Sequence, residues 1–240
     1  MSFVLLPVLD QMLELYQQPR GFQRFRDYLQ LALNEKRDDL ELPIAVFNPM
    51  AKEHVLAKLR ELKELDAEAL IEQAIHELPF ECTAELPGTF QVALNLADDA
   101  MGGWTNRYTT DYQSKFQQQA LTKRRFCLPL FWVSESYTPQ NIHTRVQEYT
   151  RRLIYQLQNP KCATLQDHIR QEAFAQQVSS QTERTIAPQM KVLYQQYKET
   201  SNYPEIFCFL YGDKAGTELG YEPVGVLEPF WGLRYAGQLT

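Results

Sequence analysis

The chain has 240 residues, of which 44% are hydrophobic and 22% are charged, and its formal net charge is −6. This length can bury a large core, and the acidic balance argues against a nucleic-acid partner, because binding to a phosphate backbone needs a surplus of Lys and Arg. The sequence has no uncharged apolar stretch of membrane-spanning length and no CxxC pair among its four cysteines. We therefore expect a soluble, cytoplasmic protein without disulfides or membrane association.

The first part of the chain contains two amphipathic segments, residues 6–17 and 22–33, which are separated by a proline and a glycine. Their apolar residues recur every three or four positions, as on one face of a helix. This pattern predicts an N-terminal helical hairpin over residues 1–41, packed on a core domain that spans residues 42–240.

In the core domain, strand-like apolar runs alternate with helical patterns. In chain order we predict a strand at 42–47, helices at 49–65 and 66–78, a strand at 90–96, a helix from Thr110 to 120, a strand at 125–133, helices at 138–158, 164–176 and 186–197, a strand at 205–211, a short helix ending at Leu219, and edge strands at 224–227 and 230–235.

This alternation predicts right-handed crossovers and therefore an α/β fold, with a mostly parallel or mixed sheet flanked by helices. An α+β arrangement stays open because the helical share is high. In open parallel sheets, ligands bind beyond the carboxyl ends of the strands. The polar residues that follow the predicted strands are Asn48, Asp98, Asp99, Ser134, Glu135 and Asp213.

The connection from Asp98 to Tyr108 is the densest group of polar and aromatic residues at these ends. Arg107 can hold a carboxylate or phosphate with its planar fork, Asn106 can orient an amide or hydroxyl, and Trp104 can form a pocket wall. In the alternative interpretation Trp104 fills the core, and Arg107 pairs with Asp98 or Asp99. A capping box of Thr110 and Gln113 is expected to start the next helix.

Two functions are consistent with these residues. In the first, the chain is a transferase or hydrolase for a small anionic substrate, with Asp98, Asp99 and Glu135 as catalytic carboxylates. Its substrate-binding residues would be Trp104, Asn106, Arg107 and Asp213. In the second, it is a noncatalytic module for protein–protein binding or assembly that uses its helical faces, and a homo-oligomer fits this possibility.

Motifs for nucleotide cofactors and for zinc are missing from the sequence, so it specifies no cofactor. The acids Asp98, Asp99, Glu135 and Asp213 could hold a hard cation if they converge. Capping and turn formation are the commoner roles of such acids, and we predict no metal ligands.

Overall fold

A computed structural model describes residues 2–78, 88–100, 105–177 and 188–239 of the chain. The chain divides into two units: Met1–Ser114 with Gln118–Tyr149, and Lys115–Gln117 with Thr150–Thr240. Helices account for 56% of the described residues and strands for 8%, so the fold is mixed α/β with a small parallel sheet flanked by helices. The hairpin over residues 1–41 and the boundary at residue 42 stay predictions.

The first unit contains all the described strands and most of the longer helices. Its elements are β1 (Ser2–Leu5), α1 (Leu9–Gln17), α2 (Phe22–Ala32), α3 (Glu53–Glu64), α4 (Ala67–His76), β2 (Thr89–Val92), β3 (Asn95–Ala97), α5 (Arg107–Phe116), α6 (Gln119–Lys123), β4 (Phe126–Cys127), β5 (Leu130–Trp132) and α7 (Pro139–Gln158), of which α5 and α7 continue into the second unit.

The described strands are all parallel and lie along three chain segments. β2 is the central strand between β1 and β4, and β3 pairs with β5. The ladder continues between these pairs, since Ala93 N donates to Cys127 O at 3.2 Å and Asn95 N donates to Pro129 O at 3.1 Å. Each predicted strand, 90–96 and 125–133, is therefore two short strands in line. Pro129 has no N–H to give to the ladder, which accounts for the break between β4 and β5.

The N-terminal part differs from the sequence prediction in two places. Residues 2–5 form a strand that was not predicted, and Phe3 in this strand pairs with Phe90. Residues 42–47 form turns and not a strand, and the following helix begins at Glu53 and not at Pro49. Ile44 and Phe47 are fully buried all the same, and Tyr28 donates a hydrogen bond to the Ile44 carbonyl at 3.1 Å. A short apolar run thus indicates burial without fixing the backbone geometry.

The second unit is helical in its described part: α8 (Leu165–Gln176), α9 (Pro188–Tyr197), α10 (Tyr203–Tyr211), α11 (Asp213–Thr217) and α12 (Trp231–Gly237). The strand predicted at 205–211 is wrong, because these residues lie in α10. Residues 206–211 are all buried, so the segment shows no polar face from which a helical period could be recognised. The edge strands predicted at 224–227 and 230–235 are also wrong; most of the second range belongs to α12.

Over residues 2–78, 88–100, 105–177 and 188–239, no helix is both long enough and apolar enough to cross a membrane. Cys127, Cys162 and Cys208 are free thiols. Cys82 lies outside the described residues.

Candidate functional site

The carboxyl ends of β3 and β5 lie side by side, because the two strands are parallel with Ala97 opposite Trp132. Asp99 follows β3, and Ser134 follows β5. The Ser134 backbone N–H donates to Asp99 Oδ1 at 3.1 Å, and its hydroxyl donates to Asp99 Oδ2 at 2.7 Å. These two hydrogen bonds join the segments that follow β3 and β5 at one edge of the sheet, where the polar residues were expected to meet.

Arg107, the first residue of α5, points into this edge. Its Nη1 lies 2.7 Å from Asp99 Oδ2 and 2.9 Å from Ser134 Oγ, and its Nη2 donates to Glu135 Oε1. The guanidinium carbon lies 4.9 Å from the centre of the Trp132 ring. Burial lowers the pKa of Arg107, but the two carboxylates outweigh burial and raise it above its ordinary value. The guanidinium is thus held as a cation among acids.

Glu135 accepts from two arginines. Besides Arg107, Arg145 donates from Nη2 to Glu135 Oε2 at 2.6 Å and from Nη1 to the Leu130 carbonyl at 2.7 Å, and the Tyr137 hydroxyl lies 3.2 Å from Oε2. Burial raises the pKa of the Glu135 carboxyl, but the charges of Arg145 and Arg107 lower it by more, so the net shift is downward. A carboxyl held ionised in this way is suited to position cations and not to donate a proton.

Asp98, which is 3% exposed, belongs to a second group beside the first. Its Oδ1 lies 2.9 Å from His54 Nε2 and accepts from the Ala100 N–H at 3.3 Å, and its carbonyl accepts from the Thr105 N–H at 3.2 Å. His54 Nδ1 is buried and has no hydrogen-bond partner in the described part of the chain. An imidazole with one nitrogen held by a carboxylate and the other without a partner can accept a proton at that second nitrogen.

Helix α3 contacts both strand ends through residues one turn apart. His54 contacts Asp98 after β3, and Lys58 donates from Nζ to the Glu135 carbonyl after β5 at 2.6 Å. Lys58 Nζ also lies 2.6 Å from Glu61 Oε2. Residues four apart lie on one face of a helix, so α3 lies along this edge of the sheet. The sequence prediction included neither His54 nor Lys58 in the site.

The remaining residues that were expected near the strand ends do not join the Arg107 cluster in the described part of the chain. Asn106 caps α5, since its Oδ1 accepts from the Thr109 N–H at 3.0 Å. The capping box at Thr110 is therefore wrong, because the helix begins at Arg107. Asn48 does not follow a strand, and its Oδ1 accepts from the Met50 N–H at 2.9 Å. Trp104 lies outside the described residues.

Asp213 belongs to the second unit, where it begins α11. Its carboxylate accepts from the backbone N–H groups of Val224 at 2.8 Å and Gly225 at 2.9 Å, and its own N–H donates to Val226 O at 2.7 Å. The reason for predicting it at a strand end is wrong, because the preceding segment is helix α10. The contacts of Asp213 hold residues 224–226 in place.

Replacement of Asp213 by Ala is expected to lower the free energy of unfolding by about 1–3 kcal/mol, because two backbone donors lose a charged acceptor. Urea denaturation followed by circular dichroism measures the change. Glu218→Ala, which removes an exposed carboxylate near the end of α11, is the matched control and should change stability by less than about 0.5 kcal/mol. Equal effects of the two substitutions would contradict this role of Asp213.

No group of three or more His, Cys, Asp or Glu side chains that could hold a metal ion occurs among the described residues. No protein-family model, curated protein or solved structure matches the chain. A proposal about its function therefore rests on the side chains at the strand ends.

Proposed function

We propose that the chain is an enzyme, a hydrolase or transferase, that binds a small anionic substrate at the edge formed by Asp98, Asp99, Arg107 and Glu135. In this proposal His54 is the general base and Asp98 orients it. The observation that carries the proposal is the His54–Asp98 pair, in which His54 Nδ1 is buried and makes no hydrogen bond to any described residue. A buried polar atom without a partner costs free energy, and a hydroxyl or water bound at Nδ1 would remove that cost.

The carboxylate of Asp98 fixes which ring nitrogen of His54 carries the proton. A carboxylate only accepts hydrogen bonds, so the neutral ring donates from Nε2 and keeps its lone pair on Nδ1. In the proposed step, Nδ1 takes the proton of a water molecule or of an acceptor hydroxyl. The oxygen of that molecule then bonds to the electrophilic carbon or phosphorus of the substrate, and the leaving group departs with its bonding electrons.

Arg107 is the proposed anchor for the anionic group. Its side chain is 28% exposed, while the Asp99 side chain beneath it is 5% exposed. The charges of Arg107 and Arg145 are balanced by Asp99 and Glu135. An incoming carboxylate or phosphate would replace Glu135 on Nη2 of Arg107. Asp99 and Ser134 would keep Nη1 in place. Glu135 would then remain paired with Arg145.

The binding step is tested with Arg107→Lys, which keeps the charge but loses the planar fork. We expect the affinity for the best anionic ligand to fall about tenfold or more, because one of two charge-assisted hydrogen bonds is lost. Inorganic phosphate and a panel of small mono- and dicarboxylates serve as probes, and the rise in melting temperature with ligand concentration gives the affinity. Each variant is compared with its own ligand-free melting temperature, so a loss of stability does not count as a loss of binding.

Arg124→Lys is the matched control, because Arg124 belongs to the same unit and pairs with Asp39 on the surface, at 40% and 50% side-chain exposure. It should leave the ligand response unchanged. A native protein whose melting temperature no anion raises, or an Arg107→Lys variant with the native affinity, would contradict the anchor. The binding-module alternative predicts the first of these outcomes.

A further inference from the structure

Helix α2 presents apolar side chains to solvent. Phe22 is 72% exposed, and Phe25 and Leu29 are each 39% exposed. At this spacing the three residues form one stripe along the helix. Arg24, Tyr28 and Ala32 lie on the adjoining buried face of the helix, and the rings of Phe25 and Tyr28 stack with their centres 6.5 Å apart. Exposed aromatic residues in a continuous stripe are typical of an interaction surface.

The stripe continues into a preformed groove at the end of α2. Leu29 and Leu33 line a cavity of about 780 Å³ together with the turn that follows the helix. The turn is fixed by Asn34, whose Nδ2 donates to Asp38 Oδ1 at 2.8 Å and whose Oδ1 accepts from the Asp38 N–H at 3.1 Å. An anti-parallel bridge between Leu33 and Leu40 closes it. A partner can therefore dock without ordering the turn first.

The charges at the two ends of α2 are opposite in sign. Residues 18–26 contain three arginines and no acid, and of these Arg20 and Arg26 are exposed. Residues 34–41 contain four acids and two bases: Glu35, Asp38, Asp39 and Glu41 against Lys36 and Arg37. Asp39 pairs with Arg124, and the others are exposed. A second copy of this helix that runs in the opposite direction brings these opposite charges together at the two ends of the stripe.

We propose that the stripe on α2 is the interface of a homodimer, in which α2 of a second copy packs antiparallel against it around a two-fold axis. Phe22 of each copy then lies beside Leu29 of the other, and the Phe25 side chains meet near the axis. Arg20 of each copy faces the acidic turn of its partner. The 11 residues of α2 span about 16 Å, so the interface is small and its dissociation constant is expected to be on the order of micromolar. This inference does not depend on the proposed ligand site.

Sedimentation equilibrium of the full chain tests the dimer. Phe22→Glu and Phe25→Glu are expected to raise the dimer dissociation constant about tenfold or more, because each places a charge in the apolar contact. Val192→Glu is the matched control, since Val192 is 67% exposed on α9 of the other unit. It should leave the constant unchanged. A monomer at every concentration, or equal effects of Phe22→Glu and Val192→Glu, would overturn the proposal.

A charge exchange tests the antiparallel orientation and keeps the apolar stripe intact. Arg20→Glu and Glu35→Arg are each expected to weaken the dimer severalfold. The double variant restores the opposite charges across the axis, so its dissociation constant should return to within about twofold of the native value. A double variant weaker than either single variant would overturn this pairing. Circular dichroism of each variant establishes that the fold is retained.

Discussion

Replacing His54 with Gln is expected to slow turnover by about 10²–10⁴-fold, the range that a positioned general base contributes. Gln keeps a polar side chain of similar length but cannot take up a proton at neutral pH. The measurement is kcat/KM for a panel of nitrophenyl carboxylate esters and nitrophenyl phosphates, each with and without an added amine or alcohol acceptor. Anion binding, measured by the melting-temperature shift, should stay close to native, because Arg107 and not His54 holds the anion.

His143→Gln is the matched control for this loss. His143 Nε2 lies 2.8 Å from Glu77 Oε2, so it also forms a His–carboxylate pair, but one whose Glu is 49% exposed. Its replacement should leave kcat/KM unchanged. In His54→Ala, free imidazole should restore part of the activity if the missing group is a base. A native protein that turns over neither ester class with any acceptor would contradict the enzyme proposal.

Asp98→Asn tests whether Asp98 orients His54, because this substitution leaves the proposed base in place. The amide can offer an N–H to His54 Nε2, which favours the ring tautomer with the proton on Nδ1. That tautomer has no lone pair at the proposed proton-accepting atom, so we expect a loss of activity comparable with that of His54→Gln. Because both substitutions act on one proton acceptor, the double variant should be no slower than the slower single variant. Additive losses would indicate that Asp98 acts separately from His54.

The sequence contains the signal for the sheet edge but not for the base. Apolar runs with polar residues after them placed Asp98, Asp99, Ser134 and Glu135 at strand ends, and the parallel pairing of β3 and β5 brings those ends together. His54 precedes Asp98 by 44 residues, and its position depends on how α3 packs. The local signals were that His54 lies one turn inside a helix that follows a predicted strand, and that it shares a helix face with Lys58. Tertiary packing of this kind cannot be calculated from local spacing.

In the second unit, local sequence patterns predicted the wrong secondary structure. In residues 206–211 every side chain is buried, and a run that is apolar all round has neither a two-residue nor a 3.6-residue period. Tyr203 and Pro204 at the start of α10 were the better signal, because Pro is favoured in the first turn of a helix.

Arg107 had two interpretations in the sequence, as an anion hook or as a partner of a nearby acid. The structure pairs Arg107 with Asp99 and Glu135, and its role as an anion hook stays a proposal.

Breaking the buried ion pair of the second unit is expected to lower the stability of that unit strongly. Arg152 donates from Nε to Glu172 Oε1 at 2.6 Å and from Nη2 to Glu172 Oε2 at 2.8 Å, and the two side chains are 3% and 1% exposed. Glu172→Gln leaves the Arg152 cation buried without its carboxylate. We expect the free energy of unfolding to fall by about 3–5 kcal/mol, as measured by urea denaturation.

Glu228→Gln is the control for the buried pair, because Glu228 pairs with Arg234 in the same unit at 61% and 42% exposure. Its loss should cost less than about 1 kcal/mol. A double replacement, Arg152→Met with Glu172→Leu, should recover most of the stability, since apolar side chains of similar volume carry no desolvation cost. If Glu172→Gln costs no more than Glu228→Gln, the buried pair does not have the expected role.

The same pair predicts how stability depends on pH. Burial raises the pKa of Glu172, but the charge of Arg152 and its hydrogen bonds lower it by more, so the folded-state pKa lies below the unfolded value of about 4.3. The unfolded chain therefore binds the proton first as the pH falls, and the folded state loses stability. The contribution of Glu172 is complete above the unfolded pKa and disappears as the pH falls through the folded pKa. The difference in the free energy of unfolding between the native protein and Glu172→Gln should therefore be constant near neutral pH and shrink below about pH 4. A difference that is independent of pH would show that the carboxylate charge does not cause the loss of stability.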